Sequence, residues 1–326
     1  MLTGIDLSRW AMGLAAVFIA AVVVPWVGMR MLAPSLAHSG RTVRNYRGVQ
    51  VPLGLGTVWV FWGAAVLVQQ AAFSVLGLWR TSGVPLWLNL TQAVPLVLGA
   101  FTLGLLDDMF GTPGHKGFKG HLAAVRSGQL TTGGLKLFGI GLLAAAGAAG
   151  LSTAAWGPWY LSLVHYVVVV ALIALSANTV NLFDLRPLRA LKAYSLLAFV
   201  AIAAGTAMLM VRGLAPTLAV CDGVLVLMVA AGPAVAVWRP DATEKGMLGD
   251  AGANACGMFA GVMLASALPL LAAAVAAAGL LALNLVSERV SFSALIERTA
   301  WLARIDAWGR ACFSGGTRPQ EQKAKP

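Results

Sequence analysis

Charge is what this chain has least of. Only 11% of its 326 residues are Asp, Glu, Lys or Arg, where a soluble domain carries about 25%. With 59% apolar residues and a mean hydropathy of +0.81, the composition excludes an ordinary water-soluble globule and points to lipid. Cysteine is nearly as scarce. Cys221, Cys256 and Cys312 stand far apart without CxxC or Cys/His spacing, which excludes a zinc module and a disulfide framework. No P-loop pattern is present, so there is no nucleotide triphosphatase signature. The opening "MLTGIDLSRWAMGLAAVFIAAVVVPW" has no clear small-residue cleavage site, and it is expected to stay as a first spanning helix.

What is there is a series of long apolar runs. Nine are long enough to span, at about 10–30, 53–76, 84–106, 137–155, 161–181, 193–211, 218–238, 252–268 and 270–286. The expected fold is therefore an all-α polytopic membrane protein of nine to ten transmembrane helices. Alternating sides along these runs puts 20 of the 23 Lys and Arg residues on one side, leaving Arg9, Arg80 and Arg212 on the other. That bias predicts an N-terminus outside and a C-terminus in the cytoplasm. It also accounts for the net charge of +11 without nucleic acid. The expected organisation is a membrane domain over 1–286 with cytoplasmic loops, a cytoplasmic amphipathic helix over 287–312 and a disordered tail over 313–326. In the second of these, "SERVSFSALIERTAWLARIDAWGR" spaces Leu295, Trp301, Leu302, Ile305 and Trp308 helically between basic residues, as a surface-lying helix does.

The chain has 12 acids, and their placement carries the chemistry. A carboxylate at the bilayer centre costs about 2.5–3.5 kcal/mol on insertion scales, and wetting at helix ends is reason enough for most of them. Asp107 and Asp108 in "LGLLDDMFG" are different. They repel each other, and they sit at a helix C-terminus, where the macrodipole disfavours negative charge. A divalent cation would offset both effects. "SANTVNLFDL" places Asn178, Asn181 and Asp184 at the end of the fifth run, expected on nearly one helical face. "MLGDAGANACG" places Asp250 at the start of the eighth run. Between these lie basic, glycine-rich segments: "GHKGFKGH", with His115, Lys116, Lys119 and His121, and "GRTVRNYRGVQVPLGLG", with Arg41, Arg44 and Arg47. Positive-inside topology explains Arg41 and Arg44, whereas Lys116 and Lys119 follow the paired acids closely enough to suggest phosphate binding. Asp222 is expected to cap the start of the seventh run, and His165 to be a packed histidine.

Taken in order, "VPLGLG", "GLLDDMFG", "NTVNLFD" and "LGDAGANACG" resemble the polyprenyl-phosphate N-acetylhexosamine-1-phosphate transferases, over about residues 40–290. That family includes the phospho-MurNAc-pentapeptide translocase and the initiating GlcNAc-1-phosphate transferases. The resemblance implies magnesium-dependent transfer (manganese as a substitute) of a sugar phosphate from a UDP-sugar to a polyprenyl phosphate. It implies a bacterial-type plasma membrane, a cytoplasmic active site and a role in envelope glycan synthesis, with a homodimer compatible. Asp107 and Asp108 would be the paired acids, Asp250 the metal ligand and Asp184 an active-site acid. Asn178, Asn181, Lys116, Lys119, His115 and Arg47 would meet substrate. Three departures bear on the donor. Asp184 is followed by Leu185, Arg186 and Pro187 instead of by a second acid. Met247 stands where the family often has an aromatic residue. "SERVSFSALIERTAWL" lacks the family's histidines. The alternative expectation is a catalytically silent relative that binds prenyl phosphate or scaffolds envelope assembly.

Overall fold

The computed structural model describes residues 7–77, 87–111, 120, 126–151 and 158–310. His115, Lys116, Lys119 and His121 lie outside them, as do Cys312 and the tail over 313–326. The first apolar run forms α1 (Leu7–Phe18) and α2 (Val24–His38), joined without a break by a π-turn at Ile19–Val23. Pro25 has no N–H to give to the Ala21 carbonyl four residues back, which is where the α-helical ladder gives way. Then come α3 (Val58–Val75), α4 (Leu90–Phe110), α5 (Thr132–Leu151), α6 (Trp159–Phe183), α7 (Arg189–Val211), α8 (Pro216–Ala242), α9 (Gly249–Ala267) and α10 (Leu270–Ser287). Two short helices follow, α11 (Phe292–Arg298) and α12 (Ala300–Ala307). The described β-structure is a small antiparallel hairpin, β1 (Thr42–Arg44) with β2 (Gln50–Pro52).

Eight helices among the described residues are long and apolar enough to cross a membrane. The remaining run, the eighth, forms α9, which is helical as expected but less apolar, and for a physical reason. Its residues are buried almost throughout, against α4, α6 and α7. A helix surrounded by protein needs close approach more than it needs hydropathy, hence Gly249, Gly252, Gly257 and Gly261 with alanines between. Around it lies a cluster of aromatic rings. Trp59 meets Trp62 edge-on at 5.1 Å and Tyr194 at 6.0 Å, and Phe259 of α9 lies 4.9 Å from Trp62. Two of its three polar tips are satisfied: Trp62 Nε1 donates to the Val229 carbonyl at 3.0 Å and the Tyr194 hydroxyl to the Ala230 carbonyl at 2.7 Å, while Trp59 Nε1 is buried with no hydrogen-bond partner among the described residues.

The segments expected on one side meet at one end of the bundle. Asn45 and Arg47 reach Glu244, Lys136 reaches Asp107 and Asp250, Arg186 pairs with Glu297, and Arg189 with Asp306. Trp87 against Gly205 and Gln92 on the Gly147 carbonyl belong to the opposite end. Asp222 is not a cap. It lies inside α8, fully buried, because that helix starts six residues earlier at Pro216. His165 is buried in α6 as expected.

α11 and α12 form a strap pinned by a buried ion network. Arg189 donates from Nε and Nη2 to the two oxygens of Asp306 at 2.6 and 3.0 Å, and from Nη1 to Ser293 Oγ at 2.8 Å. Arg310 adds a contact to Asp306 at 2.7 Å. Burial alone would raise the Asp306 pKa, but the bonds from Arg189 and Arg310 outweigh it and hold the carboxyl below its ordinary value. A depressed folded-state pKa gives stability that is present above the unfolded value of about 3.9 and is lost as pH falls through the folded one. Amide hydrogen exchange within 292–307, corrected for its intrinsic pH dependence, should therefore rise only in that acid range. Asp306→Asn should loosen the strap at neutral pH and remove the acid step. An identical acid step in the variant would contradict this role.

Candidate functional site

The site is built at the ends of four helices, and the macrodipoles explain its pairings. Asp107 and Asp108 end α4, while Lys136 stands in the first turns of α5. Each is at the unfavourable end of its own helix, and across helices these disadvantages cancel. Lys136 Nζ lies 2.6 Å from Asp107 Oδ2 and 2.6 Å from Asp250 Oδ2. The two carboxylates thus share one cation, and it is a side chain of the protein. Asp108 turns the other way. Its Oδ1 accepts from the Asp250 N–H at 2.9 Å and its Oδ2 from the Ala251 N–H at 3.0 Å. Asp108 is thus the N-terminal cap of α9, supplied by a different helix, and the positive end of that dipole compensates its charge. Adjacent acids that repel in the sequence are separated in space by having different partners.

Close approach makes this possible. A Cβ on Gly104 would lie 2.3 Å from the Asp250 carbonyl oxygen, so only glycine lets α4 touch the start of α9. Gly249 has φ +68, in the left-handed region, and a Cβ there would lie 2.7 Å from Asp108 Oδ2. The "VPLGLG" segment wraps the same place. Met247 N–H donates to the Pro52 carbonyl at 2.9 Å, and the Met247 carbonyl accepts from Gly54 and Leu55 at 3.3 and 3.0 Å. Met247 is thus tied through its backbone to the hairpin that carries Arg47.

Asp184 follows the last residue of α6 and faces the same end. Burial, then the carboxylates of Asp241, Asp250 and Asp108, push its pKa well above the ordinary carboxylate range, with the Gly249 N–H offsetting only part. Beside it runs a crevice lined by Asn45, Tyr46, Arg186, Asp241 and Glu244, with about 10 Å³ of water-sized space. That is room for one water molecule and far too little for a nucleotide. Glu244, at φ 55, accepts from Asn45 Nδ2 at 2.5 Å and pairs with Arg47 at 2.6 Å. Arg186 lies over the Tyr46 ring at 5.0 Å. Asp241 is buried and accepts from the Leu188 N–H at 2.6 Å, fixing Leu188 at φ 66 at the start of α7.

Asp107, Asp108, Asp184 and Asp250 are thus brought together. Asn178 is not. Its amide donates to Asn284 of α10, which in turn donates to Thr179 Oγ1 at 2.8 Å. The one-face expectation fails because six residues at 3.6 per turn leave positions 178 and 184 about 120° apart, and because Asp184 has already left the helix. Asn181 Oδ1 is buried with no hydrogen-bond partner among the described residues. Arg47 lies on the rim, engaged by Glu244.

Lys136 is the participant that sequence reasoning passed over, counting it only as one of the bases that set the topology. A signal was present: a lone lysine near a helix N-terminus, at the head of an apolar run, is doubly unfavourable unless acids face it. No group of three or more His, Cys, Asp or Glu side chains converges as a metal cage among the described residues. A two-carboxylate site does form, from Asp107 and Asp250, and magnesium usually takes one or two carboxylates with water and substrate phosphates. The donor set fits that ion, with Lys136 as its internal competitor. No family model matches the chain, and the search of characterised proteins found no similar sequence.

Proposed function

We propose that the chain is a magnesium-dependent phosphoglycosyl transferase. In it, an oxygen of a polyprenyl phosphate forms a bond to the sugar-bearing phosphorus of a nucleoside diphosphate sugar. The bridging P–O bond breaks and the nucleoside monophosphate, UMP for a uridine donor, leaves. The observation that carries this reading is the convergence of Asp107 and Asp250 on one cation position at 2.6 Å each. Asp184 and the hairpin rim lie beside it. Transfer of this kind asks mainly for positioning and charge neutralisation, and a helix-end site serves a lipid acceptor as well as a water-soluble donor. Magnesium, when bound, would neutralise the phosphate oxygens. Asp107 and Asp250 would hold it, and Asp108 would keep Asp250 in place through the start of α9. Lys136 would keep the empty carboxylates compensated and then turn to donor phosphate. The donor sits above the one-water crevice, with Arg47 and Arg186 at its rim. The spans lie in a bacterial-type plasma membrane with this end in the cytoplasm, a reading supported by the 20 of 23 bases assigned to that side.

The full chain in detergent, given undecaprenyl phosphate, magnesium and a panel of UDP-sugars, should release UMP with at least one donor. That release should need both the lipid and the metal. No release with any donor, by protein that still binds the lipid, would favour a second reading. This is the catalytically silent relative, and one observation speaks for it: Lys136 already occupies the position between the carboxylates.

A further inference from the structure

We infer that the α11–α12 strap is a lipid-docking device, whose outer face inserts into the interface of an anionic leaflet. The face is unusual in orientation. Trp301, Arg304, Ile305 and Trp308 recur at i, i+3, i+4 and i+7, the spacing of one helical side. Trp301, Ile305 and Trp308 are 63%, 55% and 66% exposed, and Arg304 is exposed with them. The acidic residue of this helix turns inward instead, as Asp306 is buried on Arg189. A water-facing helix would show the reverse pattern.

The level of the strap says what covers it. Lys192, in the first turn of α7, donates to the Ile305 and Asp306 carbonyls at 2.8 Å each. Trp308 meets the ring of Trp238 edge-on at 6.4 Å. Trp238 is four residues from the end of α8, about 6 Å along its axis. The 27 residues of α8 reach about 40 Å, against a hydrocarbon thickness of about 30 Å. The strap therefore lies where spans leave the hydrocarbon, the depth at which tryptophans accumulate. Arg298 and Arg304 are exposed along it and Arg289 just before it, suited to anionic headgroups instead of neutral ones. Docking has a consequence inside the fold. Arg186 is paired with Glu297 of the strap, and Arg189 with Asp306. The turn carrying Asp184 is thus tied to a segment that senses the membrane surface.

The test uses the full chain in nanodiscs, with Cys221 and Cys312 replaced by serine and an environment-sensitive fluorophore on Ile305→Cys. Phosphatidylcholine discs are compared with discs containing phosphatidylglycerol. The label should be quenched by spin-labelled acyl chains and shielded from aqueous iodide, more completely in the anionic discs. Arg298→Gln and Arg304→Gln should each reduce the anionic preference about fivefold. Iodide quenching in both discs would overturn the proposal. So would shielding from both quenchers, or energy transfer between labelled copies, which would mean a protein partner or a second copy covers the face. Equal lipid quenching in the two discs would overturn its anionic specificity. The outcome does not depend on transferase activity, so it stands or falls apart from the proposed reaction.

Discussion

Lys136→Met should destabilise the protein by about 3–5 kcal/mol in the presence of a chelator, the cost of breaking a buried ion pair from one side. Methionine keeps the length and much of the volume of the stem, so packing changes little and the effect reports charge. Asp107 and Asp250 would then face each other with no cation between them. The Lys136 and Asp107 side chains are only 12% and 15% exposed, so water screens the repulsion poorly. Magnesium should recover much of the loss, because an ion binding only the folded state at a hundred times its Kd contributes about 2.7 kcal/mol. Thermal unfolding in detergent, with and without magnesium, reads both effects. A variant as stable as the parent in chelator would mean that the triad carries no stability. A destabilised variant that magnesium leaves unchanged would mean that Lys136 alone is the cation of this site.

The adjacent aspartates should behave as different residues. Asp107→Asn should cut UMP release by about a hundredfold or more, the scale of removing one charge-stabilising group from an active site, with little loss of stability. Asp108→Ala should instead cost about 2–3 kcal/mol, because two charge-assisted bonds to the Asp250 and Ala251 amides go at once. Its activity per folded molecule should fall less than that of Asp107→Asn, through misplacement of Asp250. Unfolding midpoints and rates measured on the same preparations separate the two. Equal behaviour of the variants in both measurements would contradict the division of labour between the 2.6 Å contact to Lys136 and the 2.9–3.0 Å caps on α9.

Much of the fold was legible because lipid leaves the chain few choices. An apolar run of spanning length must be a helix whose backbone satisfies itself, and each of the later eight runs overlaps one of α3 to α10, with ends that differ by up to six residues. The acids at helix ends were legible for the same reason, as wet positions are the inexpensive ones. What could not be read was which acid meets which partner. The positive end of α9 receives Asp108 from α4 only because Gly104 lets two backbones touch, a fact of three dimensions. Lys136 was visible but had a sufficient explanation in topology. Asn178 was assigned by a spacing rule that holds for three or four residues and fails over six, and its amide went to Asn284. Asp222 was placed at a helix start because no signal in "LAPTLAVCDG" marks where the helix begins except Pro216.

Divalent-ion binding by the purified chain tests the metal site most directly, with manganese as the spectroscopic probe and magnesium as competitor. One manganese per chain should bind in the presence of a UDP-sugar and be displaced by magnesium. It should be lost in Asp250→Asn, with the strap and α9 still folded. Undiminished binding in Asp250→Asn, or no binding in the parent chain, would contradict the assignment of Asp107 and Asp250 as the metal ligands.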